Sequence, residues 1–139
     1  MAPSPSIFVS HPHPDELLAK ELRSIILEAF GNTVTVFVSS DIANLPAGAT
    51  WREELRRQLS TSKLLVVLCS PDFIEKNWLH FEVGGAWALG LPVIPVCHSG
   101  MQTSKLPSQF SAFNALQVTD AQFSAKLLQS IAQHCDLPY

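Results

Sequence analysis

The sequence predicts a three-layer α/β domain built on a parallel sheet of five strands. Short apolar runs alternate along the chain with segments of helical periodicity, in the order βαβαβαβαβα, without repeat or internal linker. The run KLLVVLC (63–69) is almost uninterruptedly apolar, as a parallel strand buried on both faces should be. The length of 139 residues, 47% of them hydrophobic, suits one domain. Such a domain buries roughly two thirds of its unfolded surface on folding.

The elements follow in order. SIFVS (6–10) is a short β-rich run. Residues 14–30 carry Leu18, Leu22, Ile25, Ile26 and Ala29 at helical spacing, and Gly31 stands where a helix stops. TVTVFV (33–38) is the second strand, and a polar loop, SSDIANLPAGA, runs on to Thr50. Thr50 and Glu53 form a T-x-x-E capping box for a helix through about Leu59. After the 63–69 strand, Asn77 is placed to cap a helix WLHFEVGGAWALG, in which Gly84-Gly85 suits close packing. LPVIPVC (91–97) is the fourth strand, and its two prolines point to an edge or a strand end. A loop from His98 to Asn114 precedes a weak strand, ALQV (115–118). Thr119 and Gln122 make a second capping box before a last amphipathic helix with Phe123, Leu127, Leu128 and Ile131.

Charge is scarce. Nine Lys and Arg stand against 12 Asp and Glu, or 15% charged, where an ordinary domain has about 25%. Disorder is excluded, because it needs low hydrophobicity and high charge. A net charge of -3 with no basic stripe argues against binding nucleic acid by bulk electrostatics. No apolar run reaches membrane-span length, and the N-terminus has neither the basic nor the apolar part of a secretory signal. Cys69, Cys97 and Cys135 are odd in number, distant and in no CxxC pair, which fits reduced, buried thiols in a cytoplasmic protein. Residues 83–139 hold only Lys105, Asp120, Lys126 and Asp136 as charges. Residues 83–97 are an uncharged helix and strand that a parallel sheet buries anyway. From His98 on, the polar but nearly uncharged chain suits a surface that meets another copy or a neighbouring domain.

In such folds the working site lies at the carboxyl ends of the strands, so the informative loops begin at Ser10, Ser39, Cys69 and Cys97. They contain no GxGxxG, no GxxxxGK[ST] and no GxSxG. A receiver domain needs an aspartate ending the third strand, where Cys69-Ser70 stand instead. His11-Pro12-His13 hints at a metal, but no further ligands have zinc-like spacing, so no metal site is expected. What remains is Trp78-x-x-x-Glu82, two side chains one helical turn apart on one face. Glu82 sits in the apolar setting WLHFEVGGAW, where a carboxylate is costly unless paired or useful. A plain reading stands beside this one: a solvated glutamate favoured by the helix dipole.

These residues, taken together, resemble a Toll/interleukin receptor (TIR) domain of the kind common in bacterial immune proteins. Ile7-Phe8-Val9-Ser10-His11 with Asp15 resembles the family's opening motif. Asp41-Ile42 through Pro46-x-Gly48 and Trp51-Arg52-Glu53 resemble its long second-strand loop and the following helix. Leu64 to Pro71 with Phe73, then Trp78-x-x-x-Glu82, resemble its third strand and catalytic helix. Ala86 to Gly90 with Pro92 to Val96, then Leu106-Pro107 and the final helix, continue the match over essentially the whole chain. The resemblance implies a flavodoxin-like fold with sheet order 2-1-3-4-5 and a single TIR domain over 1–139. The stop at Leu137-Pro138-Tyr139, directly after the last helix, leads to the expectation of an N-terminal part of a longer protein. It also implies an NAD+ hydrolase acting as a self-associating immune effector of the antiviral-defence type, with Glu82 needed to cleave the nicotinamide–ribose bond.

NAD+ is then substrate, and no cofactor is expected. Phe8, Ser10, His11, Asp41, Trp51 and Trp78 are candidate substrate contacts, although core packing is the better account of Phe8. Many members carry Arg or Lys just after the first strand, whereas this chain has His11-Pro12-His13-Pro14, so phosphate contacts there would depend on histidine or backbone groups. The resemblance further implies head-to-tail assembly, a fused or partner sensor domain, and linear or cyclised ADP-ribose as product. Two other functions stay open: a purely associative TIR–TIR module, and nucleoside deoxyribosyl transfer on a similar fold with a glutamate nucleophile.

Overall fold

The computed structural model describes residues 4–38, 48, 51–71, 85, 89–107, 110 and 113–139. Their regular elements are β1 (Ser6–Ser10), α1 (Glu16–Phe30), β2 (Thr35–Val38), α2 (Trp51–Thr61), β3 (Leu64–Cys69), β4 (Val93–Cys97), β5 (Leu116–Gln117) and α3 (Phe123–Cys135). The five strands form one parallel sheet in the order β2-β1-β3-β4-β5, the flavodoxin-like order expected. The helix expected at 78–90 lies outside the described residues apart from helical Gly85 and from Leu89 and Gly90, which are already a turn. The Leu89 N–H donates to Gly85 O at 3.1 Å and Gly90 takes φ 70, so the helix ends short of the expected Gly90. A Cβ on Gly85 would stand 3.4 Å from Leu59 Cδ1, so close packing holds there.

Strand side chains alternate between two faces, and the core divides accordingly. Ile7, Val9, Leu64, Val66, Leu68, Ile94 and Val96 pack under α1 and α3. Phe8, Leu65, Val67, Cys69, Val93 and Cys97 face the other way, against Leu59 of α2 with Leu91, Met101 and Phe110. All six residues of β3 are buried, as its uniformly apolar sequence requires. Cys69, Cys97 and Cys135 are free and buried. Burial pushes the thiols of Cys97 and Cys135 above their ordinary range.

Several boundaries differ from the sequence reading, each for a local reason. α1 begins at Glu16 because His13–Asp15 form a 3-10 turn, with the Asp15 N–H donating to Pro12 O at 2.9 Å. Its buried face is Ala19, Leu22, Ile26 and Phe30, whereas Ala29 is exposed. Gly31 ends it as expected, at φ 61 and ψ -140, its N–H donating to Leu27 O. Gly31–Thr33 continue as a 3-10 turn, the Thr33 hydroxyl donating to Phe30 O at 2.6 Å, so β2 starts only at Thr35. α2 runs to Thr61, where the hydroxyls of Thr61 and Ser62 occupy the last carbonyls, of Arg57 and Gln58. Thr50 lies outside the described residues, and so does its capping box.

The second capping box does not form. α3 starts at Phe123, and its preceding residue Gln122 makes no side-chain cap. Asp120 does this work instead: Oδ1 accepts the Gln122 N–H at 2.8 Å and Oδ2 accepts from Lys126 Nζ at 2.6 Å. Lys126 and the Gln122 N–H hold the Asp120 carboxyl below its usual range. Phe123, Leu127, Leu128 and Ile131 are all buried, as expected.

β4 is the fourth strand of five, not the edge, yet its prolines are accommodated by edge conditions. His98 N–H donates to Cys69 O and Val118 N–H donates to Cys97 O. Parallel alternation therefore turns 93, 95 and 97 towards β5. β5 begins at Leu116, opposite Val96, so no strand partner faces Pro95 and its missing N–H costs nothing. Among the described residues no helix is long and apolar enough to cross a membrane.

Candidate active-site edge

The order 2-1-3-4-5 reverses chain direction across the sheet between β1 and β3. In open α/β sheets it is outside the carboxyl ends of the strands at such a switch point that a ligand crevice is expected. Ser10 ends β1 and Cys69 ends β3 at that point. Around them the apolar sheet gives way to a polar rim. Ser10, His11, Ser70 and His98 are all buried, with Asp15 only slightly more open.

The loop after β1 is tied on itself. Pro12 O accepts both the Asp15 N–H at 2.9 Å and the His11 Nδ1–H at 2.7 Å. The turn after β4 is held as firmly. Met101 N–H donates to His98 O at 3.1 Å across Ser99 at φ 53 and Gly100 at φ 88. Two positive φ values suit glycine at Gly100 but strain Ser99. The Ser99 hydroxyl and His98 Nδ1 are hydrogen-bonded to each other and His98 Nε2–H donates to Asp15 Oδ2, both at 2.9 Å. Beneath them, burial pushes the Cys69 thiol far above the ordinary thiol range, with the nearby charges of Cys97 and Asp15 acting in the same direction.

The structure brings Ser10 and His11 to this rim, and it places Phe8 elsewhere. Phe8 has no exposed surface and stacks on Phe37 at 5.3 Å between ring centroids, on the face covered by α2. Trp51 opens α2, and its side chain is outside the description. Asp41, Trp78 and Glu82 lie outside the described residues. Sequence reasoning gave Asp15 no role and passed over His98 and Ser99. Their association joins positions 83 residues apart, and no spacing rule signals it. The one available clue was that both loops leave carboxyl strand ends. Among the described residues no three His, Cys, Asp or Glu stand together as a metal site.

A cavity of about 450 Å³ lies further along, lined by Thr103, Ser104, Leu106, Phe110, Phe113, Asn114 and Ala115. Gln117 ties β5 to the start of this segment, its amide nitrogen donating to Met101 O and its oxygen accepting from Thr103 N–H at 3.3 Å.

A doubly wound α/β domain with a polar carboxyl edge at its switch point is thus the class of protein defined. Residues 7–131 match the family model of the TIR domain, and the chain belongs to that family. It is similar in structure to the TIR domain of the Toll-related receptor TRR-2 from Hydra magnipapillata, with a TM-score of 0.69 and 19% identity, covering 90% of this chain and 96% of that one. It is similar also to the TIR domains of the activated Roq1 resistosome that recognises the pathogen effector XopQ, with a TM-score of 0.63 and 17% identity over 94% and 98% of the two chains. The CMP N-glycosidase BcmB of Clostridium botulinum shares the fold at a TM-score of 0.55 and 14% identity, over 92% and 98%. Among curated protein sequences none matches.

Proposed function

We propose that this TIR domain hydrolyses NAD+ at the nicotinamide–ribose bond, with Glu82 as the catalytic residue. The observation that carries the reading is Trp78-x-x-x-Glu82: a carboxylate in a strongly apolar helix sequence, inside the span matched to the family and following β3, whose end borders the crevice. The fold shared with an N-glycosidase supports the same class of bond.

The chemistry needs little from the protein beyond charge and position. Nicotinamide in NAD+ is cationic and leaves as a neutral molecule with the electron pair of the C–N bond, so no strong acid is required. The ribose left behind is oxocarbenium-like, and a carboxylate in a cleft of low dielectric stabilises it. Water then adds to the anomeric carbon and a proton is released, giving ADP-ribose. Ser10 and His11 stand at the β1 side of this edge, and Trp78, four residues before Glu82 in the sequence, is the candidate aromatic contact beside it. Self-association completes the site, and the exposed, nearly uncharged stretch around Gln102, Thr103 and Ser104 belongs to the covered surface.

Incubation with NAD+ at high protein concentration, following nicotinamide release, tests this directly. Wild type should release nicotinamide and Glu82→Ala should not. Equal silence from both proteins, even when they are clustered on a support, would leave the associative module as the function.

A further inference from the structure

One buried polar pair on this edge has no part in the chemistry assigned to Glu82. Asp15 stands just before α1 and His98 just after β4, and their side chains are 13% and 8% exposed. Their strands are not neighbours: β3 lies between β1 and β4. The 2.9 Å contact from His98 Nε2 to Asp15 Oδ2 therefore crosses above the carboxyl end of β3. A carboxylate so enclosed needs a partner, and the histidine meets that need in one orientation only, because its other ring nitrogen is taken by Ser99. The turn behind it is rigid, with Ser99 and Gly100 at positive φ and Met101 buried. On the other side, within the His11–Asp15 strap, Pro12 O accepts from both the Asp15 N–H and the His11 Nδ1–H, so Asp15 is carried by a closed turn.

We infer that Asp15 and His98 form a latch that seats the β1–α1 loop across the end of β3, making His98 a positioning residue for the cleft at the switch point. The inference rests on the reading of that cleft as the NAD+ site. The latch holds the His11–Asp15 loop in place just beyond Ser10, which the sheet already fixes, so it acts on substrate fit and leaves the bond-breaking group alone.

The test compares His98→Leu, His98→Gln and Asp15→Ala with wild type, by amide hydrogen exchange over residues 11–16 and by NAD+ kinetics. Losing a hydrogen bond to a charged group should quicken exchange in this segment roughly ten- to a hundredfold. Glutamine can still offer a nitrogen donor to Asp15, so His98→Gln should restore most of the protection. KM for NAD+ should rise several-fold in His98→Leu and Asp15→Ala with kcat little changed, and should recover in His98→Gln. Should His98→Leu fail to fold, Asp15→Ala, at the helix start, gives the same readout. Unchanged exchange in Asp15→Ala, or no rescue by glutamine, overturns the latch whatever the activity. Exchange that responds as described in a protein silent towards NAD+ supports the latch and sinks the hydrolase reading.

Discussion

Truncation of Phe8 separates two roles that the sequence left side by side, core packing and substrate contact. Its ring has no exposed surface, stacks on Phe37 with 24° between planes, and shares a cluster with Leu59, Leu65, Val67 and Cys69. Removing a buried phenylalanine ring costs about 3–5 kcal/mol through lost transfer energy and the cavity left behind. Of this, about 0.5–1.5 kcal/mol belongs to the ring pair. With a urea dependence of about 2 kcal/mol per molar, Phe8→Ala should lower the unfolding midpoint by about 2 M with the slope unchanged. Phe8→Leu should cost about 1–2 kcal/mol, since it keeps most of the apolar volume. A Phe8/Phe37 double-mutant cycle should return a coupling near the ring-pair value. Folded Phe8→Leu protein should keep the KM of wild type for NAD+. If Phe8→Ala left the midpoint where it was and changed only KM, the assignment of this ring to the core would be refuted.

Further outcomes follow from the described contacts. Burial raises the pKa of Cys69, Cys97 and Cys135, so the native state keeps these protons to higher pH than the unfolded chain does. Their contribution is complete below the unfolded thiol range, about 8.5, and is lost as pH rises through it, by about 1.4 kcal/mol per pH unit for each thiol that ionises only on unfolding. Urea unfolding from pH 7 to 10 should show this decline, and Cys135→Ala should flatten it; an identical slope in both proteins would argue against it. At the start of α3, Asp120→Ala should lower Tm, Asp120→Asn should do so less, and Thr119→Ala should be silent; the reverse ranking would reinstate the Thr119 capping box. Gly31→Ala meets no atom within 4 Å, so its cost is backbone strain alone, about 1–2 kcal/mol, readable as a Tm lowered by several degrees.

What could be read from the sequence follows the range of the interactions concerned. β3 was unmistakable because LLVVLC has no polar residue to place elsewhere, and Gly31 because a helix end makes a local demand on φ. The sheet order came through the resemblance, since strand neighbours are set by contacts between distant segments. The Thr119 capping box failed over a shift of a few residues: with α3 beginning at Phe123, Asp120 rather than Thr119 reaches the free N–H. Within the site, Ser10 and His11 were legible as the end of a β run. Phe8 shares a sheet face with Ser10 but lies two residues further inside the strand, where Phe37, Leu59 and Leu65 cover it, so depth along β1 separates the two and a pattern of alternation could not. Asp15 with His98 was invisible, because neither residue carries a local signature and their meeting depends on the β3 strand between them.

Pro95 has a consequence beyond the ladder that it interrupts. β5 pairs with only the last two residues of β4, so the earlier part of β4 has no strand beyond it in the sheet. An unpaired strand side is where a foreign chain can dock and seed fibrous growth. Here β4 is buried along its whole length, so the side facing away from β3 is covered, and at its middle proline has no donor to satisfy. Pro95→Val would leave the strand ladder untouched and place a new N–H donor in a buried position with no strand to accept it, a cost that the proline avoids.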